Sequence, residues 1–307
     1  MDLLLNDVEI PEGTIEITED TFHNHRLVSS VKIPESVLVI RERAFADCVN
    51  LKSIELPAGL MAIAKGAFYN CANLESVNIP EGISTIEEGV FEDCAGLESI
   101  ILPENVTAIK DKAFARCTGI KNLVLPDNLI SCSKTAFPNS RKYLPINKNY
   151  KYENGMMINT ANSMLLFYDG EAKEVTTPEG IKGIAFRAFN GSGITKVRVS
   201  EGVTSISDEA FIDCGDNPVV ILPESVDYID NSAFDTKTKV FCHKGSYAEN
   251  WCRNNPDFNQ IAESLIQAVT FPWRFFFTKF KSPRFLGSFR MYRKKNQQIL
   301  EMNSNTD

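Results

Sequence analysis

Hydrophobic positions recur along this chain in a fixed order: an alternating run, a proline, two apolar residues three apart, and then an aromatic. The stretch Leu51 to Cys71 is one copy. "LKSIELP" alternates apolar and polar residues around Ile54 and Leu56, which predicts a short strand with one buried face. Pro57 ends the strand, because it has no N–H to give a neighbour. Pro-Ala-Gly here, and Pro-Glu-Gly in other copies, suits a type I turn. "LMAIAKGAF" follows, with Leu60 and Ile63 three apart, then Ala67 and Phe68.

The copies keep strict register. Prolines fall at 11, 34, 57, 80, 103 and 126, and phenylalanines at 22, 45, 68, 91, 114 and 137, each 23 apart. The pattern returns with Pro178 and Pro223 and with Phe189, Phe211 and Phe234, Ser200 taking the proline slot between them. That makes nine turns with one interruption. A single turn cannot bury its own apolar face, whereas stacked copies build a continuous core, so the period predicts a solenoid with the phenylalanine column as its spine.

Five of the eight cysteines (Cys48, Cys71, Cys94, Cys117 and Cys214) stand three residues after the repeat phenylalanine. His25, Ser140, Ser192 and Lys237 hold that position in other turns. This is a packing column of small, readily buried side chains rather than a disulfide framework, and it suits a reducing compartment.

The motifs "LxxIxLP" and "AFxxCxxL", carried by Leu51, Ile54, Leu56, Pro57, Ala67, Phe68, Cys71 and Leu74 and their equivalents, resemble the BspA-type leucine-rich repeat family over about residues 8 to 255. The resemblance implies a β-rich α/β right-handed superhelix, a leucine-rich-repeat solenoid of about nine turns. It identifies "YENGMMINTANSMLLFYDGE" as an inserted β-hairpin, two apolar strands around the polar turn Thr160 to Ser163. It also identifies "KVFCHKGSYAENWCRNN" as a closing segment in which Tyr247, Trp251 and Cys252 cover the last turn. The organisation expected is a first repeat block (1–137), an inserted segment (138–177), a second block (178–240), a cap (241–258) and a tail (259–307). The function implied is protein–protein or host-surface interaction, adhesion included, by a module displayed on bacterial or parasite cells.

Composition narrows the partners. The 307 residues carry a net charge of -8, which argues against nucleic acid. Residues 261 to 307 hold eight basic and three acidic residues, a net +5 that leaves -13 for the rest. The N-terminal "MDLLLNDVEIPEG" has no basic region of the kind that opens a secretory signal, and no stretch approaches the roughly 20 apolar residues of a membrane-spanning helix. Location thus stays open between the cell surface that the resemblance suggests and the cytoplasm.

Candidate chemistry is sparse. There is no GxSxG, P-loop, HExxH or dinucleotide fingerprint, so neither an enzyme nor a cofactor is expected. Cys242, His243 and Cys252 match no zinc ligand spacing. An acidic column follows the proline slot (Glu12, Glu35, Glu81, Glu104, Asp127, Glu179, Glu201, Glu224) and reads as a solvated edge, calcium demanding six to eight oxygens. Binding is expected on the strand face. Two residues before the proline stand Lys32, Glu55, Asn78, Ile101, Val124, Arg198 and Ile221, varied from turn to turn, beside a monotonous row of Ser30, Ser53, Ser76, Ser99 and Asn122. The alternative is a peripheral membrane protein anchored to anionic lipid by the tail, through Trp273, Arg274, Phe275, Phe276, Phe277, Lys279 and Lys281.

Overall fold

Each "LxxIxLP" run forms a three-residue strand, and the strands pair in parallel with their equivalents one turn on. In this computed structural model, which describes residues 6–137 and 148–258, the first sheet has six such strands. They are Asp7–Glu9, Ser30–Lys32, Ser53–Glu55, Ser76–Asn78, Ser99–Ile101 and Asn122–Val124, hydrogen-bonded in chain order. The register is the sequence period itself: Asp7 faces Ser30, Ser30 faces Ser53, Ser53 faces Ser76 and Ser76 faces Ser99. A second column of two-residue strands, from Glu16–Ile17 to Ser131–Cys132, follows the proline turns as two three-stranded sheets. Val31, Ile54, Val77, Ile100 and Leu123 point inward from the first column, and Ile17, Ile40, Ile63, Ile86 and Ile109 from the second.

From Phe45 on, the corner that carries the phenylalanine is a turn rather than a helix; only the first, at Phe22, is a single helical turn, Glu19–Phe22. Arg43 and Asp47, Lys112 and Arg116, and Glu209 and Asp213 have left-handed backbone two residues before and two after the ring. A helix cannot pass through two such residues. Asn and Asp tolerate that conformation best among non-glycine residues, and they hold the second site in five turns, as Asn24, Asp47, Asn70, Asp93 and Asp213, with Arg116 and Gly191 in two others. The amides then alternate. Ala44, Ala46 and Cys48 bond three residues back, at 3.3, 2.9 and 3.2 Å. Arg43, Phe45 and Asp47 reach the next turn instead, at Lys65, Ala67 and Tyr69 (3.2, 2.8 and 2.8 Å).

Inside that corner the rings stack. Successive centroids from Phe22 to Phe137 lie 4.9 to 5.8 Å apart, with planes within 12° of parallel. Offset stacking of this kind adds to the free energy of burial. The cysteine column has a role that its reading as a plain hydrophobe did not foresee. Cys48, Cys71, Cys94 and Cys117 donate their thiols to the carbonyls of Phe22, Phe45, Phe68 and Phe91, each in the turn before (3.1, 3.2, 3.1 and 2.9 Å).

The interruption holds more than a hairpin. Tyr150–Glu153, Met156–Asn159 and Met164–Tyr168 form an antiparallel meander. Its first turn is Asn154-Gly155, both residues at positive φ, the type I′ geometry of a two-residue hairpin. Met164 and Leu165 pair in parallel with Gly183 and Ile184, and Glu174–Thr176 with Lys196–Arg198, so part of the stretch read as an insertion (138–177) is already solenoid. Tyr168 takes the phenylalanine place, 5.7 Å from Phe189, and starts a second stack that runs through Phe211 to Phe234. Ten aromatics thus occupy the spine among the described residues.

The meander is a wall with a core on each side. Met157, Leu166 and Phe167 pack into the cluster of the first block, and Met156, Ile158, Leu165 and Tyr168 into that of the second. A bulge between Met157 and Ile158 leaves Leu166 unpaired, which turns it to the same side as Phe167. Buried on both faces, Met156–Asn159 and Met164–Tyr168 read as near-continuous apolar runs rather than alternating ones, while Tyr150–Glu153 is the part-exposed edge strand. Asn159, fully buried, docks the wall by donating to the carbonyls of Asp127 and Leu129, both at 2.9 Å.

At the other end, helix Tyr247–Asn254 puts Ala248, Trp251 and Cys252 into the second core, the Trp251 ring 5.7 Å from Phe234. Ser246 accepts from the Glu249 amide at 3.2 Å and the Glu249 carboxylate accepts from the Gly245 amide at 2.5 Å, a reciprocal cap. Tyr247, expected to cover the last turn, is instead 42% exposed. It stands on the first turn of the helix, where the inward-facing positions are Ala248, Trp251 and Cys252.

Candidate functional site

Strand alternation turns two rows of the six-stranded sheet outward. One is the row of Ser30, Ser53, Ser76 and Ser99, with Asn122 next in register. The other runs from Glu9 through Lys32, Glu55, Asn78 and Ile101 to Val124. Glu9, Lys32 and Glu55 are register partners, as are Asn78, Ile101 and Val124. Adjacent members sit roughly 4.8 Å apart, the spacing of strands in a sheet.

The row changes character along its length. Its start is charged, with Lys32 Nζ 3.3 Å from Glu9 on a fully solvated surface where such a pair contributes little. Its end is apolar, Ile101 being 69% and Val124 47% exposed. Just before the same two strands, three residues upstream of Ile101 and Val124, Lys121 Nζ and Glu98 pair at 3.2 Å. Arg198 and Ile221 do not join this row. They lie half-buried on a separate four-stranded sheet, in register with Thr176 and Phe241. Sequence register alone could not see that separation, because the meander interrupts the stack between the two sheets.

A second exposed apolar run escaped sequence reasoning. Ile15, Leu38 and Met61 stand four residues after successive prolines and are stacked directly, Leu38 N donating to Ile15 O at 2.8 Å and Met61 N to Leu38 O at 2.9 Å. The signal was present at Pro11, Pro34 and Pro57. It fades at Ser84 and Thr107.

Where the second block meets the first, a cleft of about 200 Å³ is lined by Lys110, Asp111, Ser133, Lys134, Phe186 and Arg187, among others. Phe186 occupies a position that is polar in other turns (Glu42, Lys65, Glu88, Asp208, Asn231). Its ring lies between Lys110 and Arg187, 5.2 and 5.1 Å from its centroid. Lys134 Nζ donates to Asn190 O at 2.5 Å, and Arg187 sits 3.8 Å from Asp111 while also binding Glu209. Burial pulls the Lys134 ammonium below its ordinary pKa. These polar groups fasten the two blocks to each other.

The remaining candidates resolve individually. In the acidic column, Glu104 accepts from the Asp127 amide at 3.0 Å, and Asn128 donates to the Glu104 carbonyl at 3.2 Å. His243 Nδ1 faces Glu224 at 3.3 Å, and His25 packs edge-on against Phe22. Among the described residues no three His, Cys, Asp or Glu side chains gather as a metal-holding group, and no helix is long and apolar enough to cross a membrane. The proposed membrane contacts Trp273, Arg274, Phe275, Phe276, Phe277, Lys279 and Lys281 lie outside the described residues, as does Ser140 of the cysteine column.

Several solved structures are similar. A T. pallidum leucine-rich repeat protein is 31% identical over 41% of this chain and 61% of its own, with a TM-score of 0.39. A leucine-rich cell surface protein of Faecalibacterium prausnitzii is 21% identical over 84% of this chain and 90% of its own, with a TM-score of 0.40. A leucine-rich repeat protein of Bacteroides ovatus is 19% identical over 78% and 71%, with a TM-score of 0.42. No curated protein matches the chain. The model of the BspA-type leucine-rich repeat region matches residues 4–145 and 163–244 in six copies. Such repeats are in general non-enzymatic scaffolds for interaction. With that motif, the 23-residue ladder and the stacked aromatic spine, the chain belongs to the BspA-type leucine-rich repeat family.

Proposed function

We propose that this protein is a non-enzymatic scaffold that binds a protein partner through the outward face of the six-stranded sheet, with Ile101 and Val124 at the centre of the contact. One observation carries the reading: two aliphatic side chains, adjacent in register and largely exposed, end a row that is otherwise polar. Exposed aliphatics next to a polar rim are the composition of an interface core, where a few buried anchors supply most of the binding energy. The seryl row beside them is short and uniform, and leaves the surface open to a flat or extended partner. Repeat solenoids offer such faces because every turn adds one strip.

The test is affinity capture with three versions of the full chain: unmodified, Ile101→Asp with Val124→Asp, and Met61→Asp. The double variant should lose a partner that the other two retain, with the expected loss about tenfold or more for two anchors. Identical captured proteins from all three would overturn the strand-face reading. Loss only with Met61→Asp would move the site to the stripe of Ile15, Leu38 and Met61.

A further inference from the structure

The position four residues after the proline slot is one where the fold accepts polar side chains. It holds Ser84 and Thr107 in the first block and Lys182, Thr204 and Asp227 in the second. Ile15, Leu38 and Met61 nevertheless occupy it in three successive turns, all of them exposed and Met61 to 67%. Their backbones are hydrogen-bonded turn to turn, so the three stand in line about 4.8 Å apart. Val39 and its register partner Ala62, on the outward side of the following strands, widen the stripe.

The stripe runs beside the turns that carry the acidic column. Those turns are fixed: Thr14 N donates to Pro11 O at 3.3 Å, and Gly13 N to Ser36 Oγ at 3.0 Å. Leu38 lies against the next of them, its Cδ2 4.0 Å from where a side chain on Gly59 would begin. In the first block the column breaks at one turn, at Ala58, which is the turn of Met61. An apolar gap is thus set in a row of carboxylates, with Glu35 one turn before it and Glu81 one turn after.

Charge around the gap is one-sided. Lys32, Arg41, Arg43 and Lys65 pair with Glu9, Glu16, Glu19 and Glu88 in turn. Glu12, Glu35 and Glu81 pair with no cation among the described residues.

We propose that this stripe is a second binding surface, for a cationic segment of a partner protein that sets an apolar side chain on Leu38 and Met61 and basic ones on Glu35 and Glu81. The two carboxylates stand two strands apart, roughly 10 Å, which about three residues of extended chain would span. Methionine suits the contact, because its unbranched side chain adapts to what packs on it. The carboxylates select a cationic partner and turn away an anionic one, and salt weakens their share of the binding. The stripe borders the second column of strands rather than the six-stranded sheet, so it does not depend on the strand-face reading.

The experiment titrates the full chain with a labelled peptide that has lysines three residues apart and leucines between, and with a counterpart carrying glutamate for lysine. The lysine peptide should bind and the glutamate peptide should not. Leu38→Ser with Met61→Ser should weaken binding about tenfold at low and high salt alike. Glu35→Gln with Glu81→Gln should weaken it about tenfold at low salt and little at high salt. The control is Glu179→Gln with Glu201→Gln, on the same column beside Lys182 and Thr204, and it should leave binding unchanged. All six substituted side chains are exposed, so each variant should fold. Failure of the lysine peptide to bind, equal binding of the glutamate peptide, or equal weakening by the control pair would overturn the proposal.

Discussion

The thiol of Cys94 donates to the carbonyl oxygen of Phe68 at 3.1 Å, across 26 residues of sequence. The same carbonyl accepts the amide of Cys71 at 3.2 Å, so it receives one bond from its own turn and one from the next. Cys94→Ala removes the second bond and leaves a small void, which should lower stability by about 1–2 kcal/mol. Cys94→Ser keeps a donor at the same place and should cost less. Denaturant midpoints would check the order, and a serine variant weaker than the alanine variant would remove the hydrogen bond from the explanation.

Burial raises the thiols of Cys48 and Cys214 above their ordinary pKa, which makes an alkaline prediction. An acid whose folded pKa is above its unfolded value binds more protons in the native state across that interval. Its stabilising contribution is therefore whole below the ordinary thiol value of 9.0 and is lost as pH rises towards the folded value, about 12 for Cys48 and Cys214. Stability from these groups should hold level from pH 7 to 8.5 and then fall by about 1.4 kcal/mol per pH unit for each thiol. Replacing Cys48 and Cys214 by Ser should flatten the slope in unfolding curves taken between pH 9 and 11. An unchanged slope would exclude them as its source.

The aromatic spine should dominate the core. Phe91→Ala empties a fully buried site between two stacked rings and is expected to cost about 3–5 kcal/mol. Ser76→Ala, on the outward row, should stay within about 0.5 kcal/mol. Equal effects in urea unfolding would mean that stacking is not what holds the turns.

Asn159 joins the meander to the turn before it. Asn159→Ala removes one bond each to the carbonyls of Asp127 and Leu129, the latter keeping Asn162 as a donor at 2.9 Å, and the loss of the two bonds should cost about 1–3 kcal/mol. Hydrogen exchange should show the added opening first at the amides of Met156 to Tyr168. Uniform loosening of the whole chain would argue that the meander is no separate joint.

The tail carries a prediction from sequence alone. The full chain should bind vesicles containing anionic lipid, and a version lacking residues 261 to 307 should not. Each basic residue near such a surface is worth about 1 kcal/mol, less at high salt. Changing Trp273 and Phe275 to Phe277 to Ser should remove the salt-resistant part of binding, and changing Lys and Arg to Gln the salt-sensitive part. Equally poor binding to neutral and anionic vesicles would leave the tail without a membrane role.

Legible in the sequence alone were the repeat, its period and its inward faces, because every turn meets the same neighbours and must solve the same packing problem. Phe45, Phe68 and Phe91 declare the spine by position, and Ile54 or Val77 declare the buried side of a strand by alternation. The Asn154-Gly155 hairpin was written there too and was passed over, as was the run of Ile15, Leu38 and Met61. Tertiary structure alone decided what depends on contacts between unlike segments. Tyr168 enters the spine only because Met164 and Leu165 pair with Gly183 and Ile184. Arg198 and Ile221 leave the row of Lys32 and Ile101 because the meander divides the stack into two sheets. The thiol ladder likewise needs the next turn to supply its acceptor. A periodic sequence specifies the bonds between identical neighbours; where the period breaks, the partner of each side chain is set by whichever surface the chain returns to.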